Sequence, residues 1–380
     1  MRIGSEIQVA HLFADSVPSL VPVCWIRILA HLRSRRFHLR VILSRKSHLP
    51  ESALNLAEEK GIEITEIPAL ADAEDRIYSF RLRFHLRGLF RKWGTDLIHT
   101  HYMAAVGPTV QCLKGVPNVT AVHSLYLDTE SLGSGWFHRT WARRKLERRL
   151  AAARRVIVQD KNEEALIRAF HIAKRYQLER IPFAVDVEAI RNLEPQAGVP
   201  GDFQGSRPEY RVGLFIPDIA KGPFKRTLFS LRSLFDSSKE VTVWCVVPGG
   251  QVREIRKMCR RLRFPEQFHL VGGVLPWEWI GSRVRVAWIP GLDTDSDVAA
   301  AISSAFGIPV LRFTSLETHR SVSTEKNQRP SVGIEILREI LSDPSNRGIV
   351  APEQIERNDV DETADLLCRC YNDVLRESGG

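Results

Sequence analysis

The sequence predicts an α/β protein of two domains, each built on a parallel sheet. Short apolar runs alternate with longer segments of helical spacing, which is the pattern of strands joined by crossover helices. That alternation is interrupted once, in a stretch rich in proline and glycine, and then restarts. The chain's 380 residues also exceed one ordinary domain and suit two.

The first domain is expected over residues 1–190. Glu6–Phe13 reads as a strand, Val21–Arg33 as a helix and Leu39–Ser44 as a strand. Glu51–Lys60 reads as a helix stopped by Gly61, followed by strand Ile62–Ile67. Arg76–Trp93 is a long basic helix closed by Gly94, and Leu97–Thr100 a strand. Met103–Leu113 is a helix, Asn118–His123 a strand and Phe137–Ala153 a basic helix. Strand Arg155–Gln159, helix Lys161–Ala169 and strand Arg180–Phe183 complete the domain. Arg191–Glu209 holds Pro195, Gly198, Pro200, Gly201, Gly205 and Pro208 and reads as a linker.

The second domain spans residues 210–355. Tyr210–Ile216, Val241–Val247, Phe268–Val271, Val284–Ile289 and Pro309–Phe313 read as strands. Phe224–Phe235, Gln251–Leu262, Asp297–Phe306 and Ser331–Leu341 read as helices. Residues 356–380 form a last helix, centred on Asp361–Leu375, expected to pack back toward the first domain.

Hydrophobic residues make up 44% and charged residues 26%, the balance of a globular rather than a disordered chain. The net charge of +9 favours an anionic partner. Cys24, Cys112, Cys245, Cys259, Cys368 and Cys370 are scattered through apolar runs without paired zinc-ligand spacing, which reads as buried free thiols in a reducing compartment. Asp15 and Arg27 bracket the apolar stretch Val17–Ile26, and no small-residue cleavage site follows, so no signal peptide is expected. No run approaches the ~18–20 apolar residues of a membrane span. A cytoplasmic protein is expected, able to lie against the inner face of a membrane. No GxGxxG follows a strand, so a dehydrogenase-type dinucleotide site is unsupported.

A series of motifs fits another pattern. Asp96-Leu-Ile-His-Thr-His-Tyr102 resembles the Asp-x-x-His-x-His segment of family-four retaining glycosyltransferases. Val119-Thr-Ala-Val-His123 is similar to that family's next strand, which often ends in a histidine facing the cleft. Arg155–Gln159 with the helix from Lys161 resembles the strand and helix at the domain crossing, and Ile181-Pro-Phe-Ala-Val-Asp186 the Ile-Pro-Asn-Gly-Val-Asp segment. Val212–Gly222, Val241–Gly250 and Phe268–Gly273 look like the strand-turns of the second domain. Ala305-Phe-Gly-Ile-Pro-Val310 and Gly348-Ile-Val-Ala-Pro352 are similar to its Ala-x-Gly-x-Pro-Val and Gly-x-x-x-Pro segments. The resemblance implies the GT-B arrangement: two Rossmann-like domains facing a cleft, with a nucleotide-sugar held by the second and an acceptor by the first.

The resemblance also implies site residues. Lys221 matches the family lysine that holds the departing diphosphate, with Gly222 in its turn; cations there stabilise the leaving charge. The family arginine is replaced by Ile216. Lys225 and Arg226 either substitute for it or form a solvated helix face. The family's two glutamates fall on Thr294 and Ile302, so both carboxylates are absent. Asp293, Asp295 and Asp297 lie nearby, to reach the sugar or to cap a helix N-terminus. The family's Gly-Gly loop is replaced by Ala14–Ser19, in which Asp15 can face the cleft and Pro18 adds stiffness. His123 is expected to line the reacting centre, with His101 and Tyr102 on the acceptor side. His99 is read as buried structure, pointed away from His101.

Two basic segments stand out. Arg139, Arg143, Arg144, Lys145, Arg148 and Arg149 interleave with Trp136, Phe137 and Trp141; Arg81, Arg83, Arg87, Arg91 and Lys92 do so with Phe80, Phe84 and Phe90. Such surfaces suit anionic lipid or a lipid-linked acceptor, or else are solvated helix faces. No nucleic-acid module is recognised, so nucleic acid is not expected. The expected function is sugar transfer from a nucleotide-sugar to a glycan, lipid-linked or cell-envelope acceptor, with retention, no cofactor and no metal. The alternative is a non-catalytic binding or scaffold protein on the same fold.

Overall fold

The computed structural model describes residues 6–13, 19–33, 35–70, 76–101, 116–121, 153–159, 161–169, 171–193, 210–216, 240–290, 294–312 and 359–378, with 144, 147, 150, 227–228, 231–232, 234–236 and 341. These residues fall in two units. The first comprises Met1–Ala184 with Glu356–Gly380, the second Val185–Ile355. The chain thus crosses at Ala184–Val185, upstream of the stretch expected to link the domains.

The first unit holds a seven-stranded parallel sheet of order β3-β2-β1-β4-β5-β6-β7. Its strands are β1 (Ile7–Phe13), β2 (Phe37–Leu43), β3 (Glu63–Glu66), β4 (Leu97–His101), β5 (Asn118–Ala121), β6 (Arg155–Val158) and β7 (Leu178–Arg180). The central strands are buried on both faces, as parallel strands covered by helices must be. Ala10, Leu12 and Ile98 point to one side, against Leu82, Leu86 and Phe90 of helix α3 (Arg76–Trp93). His11, His99 and His101 point to the other. There α1 (Leu20–Arg33) lies, with 12 of its 14 residues buried, because it has neighbours on more than one side. Helix α2 (Glu51–Glu59) and α4 (Lys161–Ala169) complete the crossovers described.

The last helix of the chain packs on α1. Val360, Thr363, Ala364, Leu367, Cys370, Tyr371 and Val374 recur at helical spacing and are all buried. Ion pairs flank this stripe: His31 to Asp361 at 2.9 Å, Arg35 to Asp365 at 2.7 Å, and Arg155 to Glu377. Thr363 Oγ1 donates to the Pro182 carbonyl at 3.3 Å.

The second unit holds a five-stranded parallel sheet of order β10-β9-β8-β11-β12. The strands are β8 (Arg211–Phe215), β9 (Thr242–Val247), β10 (Phe268–Gly272), β11 (Val286–Trp288) and β12 (Val310–Leu311). On one face Val212, Leu214, Val243, Cys245 and Val247 pack with Leu228, Leu231, Leu234 and Ile255. On the other, Phe215 meets the ring of Trp277, 5.1 Å between centroids. The helices in chain order are α5 (Val187–Arg191), α6 (Val252–Arg261), α7 (Trp277–Ile280) and α8 (Thr294–Ala305), and the chain-terminal helix of the first unit is α9 (Val360–Ser378).

Several expected elements shift. The strand expected at Arg180–Phe183 lies at Leu178–Arg180, because Pro182 has no N–H to give the ladder. Helix α8 begins at Thr294 rather than Asp297, so Asp297 sits inside the first turn and does not cap it. Helices α5 and α7, of five and four residues, had no periodic signal; α5 is set by Asp186, whose Oδ1 accepts from the Ala189 N–H at 2.9 Å. The segments expected as helices at Met103–Leu113 and Ser331–Leu341 lie outside the described residues, Leu341 excepted.

Three outcomes follow from this packing. Leu367→Ala removes a fully buried side chain under α9 and is expected to lower unfolding free energy by about 2–5 kcal/mol, read by urea titration. Gly213→Ala is expected to lower it by about 1–3 kcal/mol, because its Cβ would lie 2.9 Å from the Trp277 ring, which is held by an indole bond to the Ala299 carbonyl. The hydrogen bond from His31 holds the Asp361 carboxyl below its usual 3.8, so this pair's contribution is complete above that pH and lost as pH falls through the lowered value. The thermal midpoints of wild type and Asp361→Asn should therefore differ at neutral pH and converge in acid.

Candidate active site

In an open parallel sheet, ligands bind at the carboxyl ends of the strands, where the strand order reverses. In the first unit that point lies between β1 and β4. The loops leaving both strands, with Asp15 and Tyr102, lie outside the described residues, as does His123 beyond β5. Of the basic patch expected at 139–148, Arg144 is described and is exposed; Arg139, Arg143 and Arg148 lie outside.

His101 is described, and it is fully buried rather than presented at the edge. Its ring stacks on Phe13 with centroids 4.0 Å apart, and Trp25 of α1 covers it at 4.5 Å. His99 does not point away from it. Residues two apart on a strand share a face, and the two rings stack with centroids 4.2 Å apart. His11, paired in register with His99, joins them: its Nδ1 lies 3.0 Å from His101 Nε2. From α9, the Tyr371 hydroxyl lies 2.5 Å from His99 Nδ1 and 3.4 Å from His11 Nε2. All four side chains are fully buried. Burial pushes the His11 imidazole down to about 3 and the Tyr371 phenol far up, so both are neutral at physiological pH. Sequence reasoning missed His11 and Tyr371. The two-residue spacing of His99 and His101 could have placed them on one face, contrary to the expectation that they point apart, but nothing local signals a tyrosine 360 residues from His11. Among the described residues, His11, His99 and His101 form the group of metal-ligating side chains close enough to share a cation.

In the second unit the order reverses between β8 and β11. Lys221, Gly222, Lys225 and Asp293 lie outside the described residues. Ile216, at the expected arginine position, is 3% exposed and belongs to the apolar core. Ile302, at one expected glutamate position, is fully buried, and Thr294 opens α8. Asp297 is engaged by Arg312, just past β12, at 2.6 Å, and Asp295 is half-buried in the same turn. Among the described residues, the turns after β9 and β10 build the edge from backbone. After β9, Gly249–Gln251 makes a short turn into α6. After β10, Gly273 takes φ +94°, open to glycine at little cost, and its N–H donates to the Val247 carbonyl at 2.7 Å. The two turns meet so closely that a Cβ on Gly272 would lie 2.9 Å from Val252 Cγ2. A separate hollow of about 310 Å³, lined by Arg256, Cys259, Arg260, Phe264 and Phe268, opens beside the start of β10, away from the carboxyl edge.

Known proteins share this fold. Residues 21–189 match the model of Glycosyltransferase Family 4. A search of curated proteins finds no match to the sequence. Among solved structures, sucrose-phosphate synthase from Thermosynechococcus elongatus superposes with a TM-score of 0.70 at 15% identity, over 98% of this chain and 100% of that one. HepE from Anabaena, in complex with UDP and glucose, gives 0.64 at 16%, over 97% and 100%. A UDP-N-acetylglucosamine 2-epimerase gives 0.64 at 12%, over 99% and 97%. The superpositions, over nearly the whole of each chain, show that this protein has the two-sheet α/β fold of these structures, the GT-B fold, and residues 21–189 are similar to Glycosyltransferase Family 4.

Proposed function

We propose that this protein transfers a sugar from a nucleotide-sugar donor to an acceptor, with retention. The match of residues 21–189 to the family-four model carries this reading. The donor would sit at the carboxyl edge of the second sheet, where the turns after β9 and β10 bring backbone together without side chains. Lys221, with Gly222 and Lys225, would stabilise the departing diphosphate, as cations do for a leaving anion, so this step calls on no metal. Asp293 and Asp295 would contact the sugar, since Thr294 and Ile302 supply no carboxylate. His123 and Asp15 would face the reacting centre. HepE, solved with UDP-glucose, supports a uridine nucleotide as the first donor to try.

A second reading is a non-catalytic binding or scaffold protein on the same fold. Ile216 and Ile302 favour it, because their side chains are packed in the interior and leave the family's arginine and glutamate positions without charge. Calorimetric titration with UDP- and GDP-sugars is expected to show one site per chain; a folded chain that binds none of them contradicts both the transferase reading and a donor-binding scaffold. Lys221→Ala is expected to lower transfer about 10²–10³-fold in a sugar-release assay. Unchanged turnover in that variant would remove Lys221 from the diphosphate site, and an epimerised free nucleotide-sugar as product would overturn the transferase reading.

The acceptor side would lie against anionic membrane at the cytoplasmic face. On α3, Arg81, Arg87, Arg91 and Lys92 are exposed, Phe84 is 60% exposed, and the helix contains no acidic residue. Among the described residues no helix is long and apolar enough to cross a membrane, so contact would be peripheral. A cationic face with one apolar anchor binds anionic headgroups and is screened by salt. Sedimentation with phosphatidylglycerol vesicles is expected at low salt, to be lost with phosphatidylcholine alone and weakened in the double variant Arg87→Glu, Arg91→Glu. Equal sedimentation with both lipids would contradict this.

A further inference from the structure

We propose that His11, His99 and His101, closed by the hydroxyl of Tyr371, form a buried binding site for a divalent transition-metal ion of the zinc type. This inference is independent of the glycosyl-transfer reading; it concerns how the first unit is held together.

The placement follows from the sheet. His11 and His99 are opposite one another in the β1–β4 register, and His101 is the next residue on the same face. Three imidazoles therefore stand on one patch of sheet, and one ring nitrogen from each lies within 4.8 Å of the others. Zinc binds imidazole nitrogen at about 2.0–2.1 Å, which places tetrahedral ligand atoms about 3.3–3.5 Å apart. The His11 Nδ1 to His101 Nε2 separation is 3.0 Å, so the observed spacings bracket that requirement and small ring rotations meet it. The Tyr371 hydroxyl stands on the helix side of the cluster, against His99 Nδ1 and against His11 Nε2, the ring nitrogen opposite the one that faces His101, so it orients the imidazoles from outside rather than ligating the ion.

The donor set selects the metal. Imidazole suits zinc, copper, nickel and cobalt, whereas calcium and magnesium require oxygen cages. Chemistry also argues for a ligand here. Four polar side chains from β1, β4 and α9 converge at one fully buried point, where phenylalanine or leucine would fill the space without desolvation. Hydrogen bonds link His101 to His11, His11 to Tyr371 and Tyr371 to His99. An ion drawn into that chain would bind β1 directly to β4, with α9 tied to them through the Tyr371 hydrogen bonds.

The test uses the full chain, purified without a polyhistidine tag. After dialysis against a weak chelator, elemental analysis is expected to find about one zinc per chain. Cobalt added to chelator-stripped protein is expected to give visible d–d bands, and X-ray absorption at the zinc edge a shell of imidazole nitrogens without sulfur. Zinc should also raise the thermal midpoint of stripped protein. His11→Asn and His101→Gln are expected to lose the ion, and Tyr371→Phe, which keeps the ring, to weaken it by about 10–100-fold. If the histidine variants fail to fold, the wild-type cobalt and X-ray spectra decide alone. A folded wild-type chain that takes up neither zinc nor cobalt overturns the proposal and leaves a purely hydrogen-bonded core. A sulfur-containing shell overturns it equally, because the metal would then be held by cysteine elsewhere.

Discussion

A parallel sheet cannot leave either face to water, and this constraint organises the first unit. Helix α3 covers one face with Leu82, Leu86 and Phe90. The other face receives α1, which follows β1 directly, and α1 in turn receives α9 from the far end of the chain. The first unit is therefore completed by residues 360–378, and Tyr371 closes over strands some 270 to 360 residues earlier in sequence. The ion pairs from Arg35 and Arg155 lie at the rim of this contact and are part-exposed, so they orient α9 more than they stabilise it. The buried stripe from Val360 to Val374 supplies the energy.

The same topology explains what could be read from sequence. Long elements with strong periodicity were legible: Arg76–Trp93 and Lys161–Ala169 have the same bounds in the structure as in the sequence. The fully buried strands were legible too, because Val243–Val247, most of β9, is an unbroken apolar run. Short elements were not. Helices α5 and α7 are fixed by one cap and by the packing of Trp277, neither of which has a period. The strand at Leu178–Arg180 was displaced because apolar character continues past it to Phe183, while pairing stops where Pro182 has no donor.

The site was legible only where it is local. Gly249 and Gly273 mark the turns after β9 and β10, and their backbone geometry agrees with that reading. His99 and His101 were noticed one by one and His11 was not, because their convergence depends on strand register, with Tyr371 added from a helix at the other end of the chain. Ile216 and Ile302 carry a different lesson. Each stands where the resemblance implies a charged residue, and each is packed in the core. The two parallel sheets and their turns therefore keep the fold without those charges.

Under the proposed function, the carboxyl edge of the second sheet binds the donor. Hydrogen exchange of the full chain, measured with and without UDP, reads it directly. Binding there is expected to slow exchange in segments 247–252, 271–275 and 294–298, at the carboxyl ends of β9 and β10 and the start of α8. Protection confined to the first unit, or exchange unaltered at saturating UDP, would contradict it.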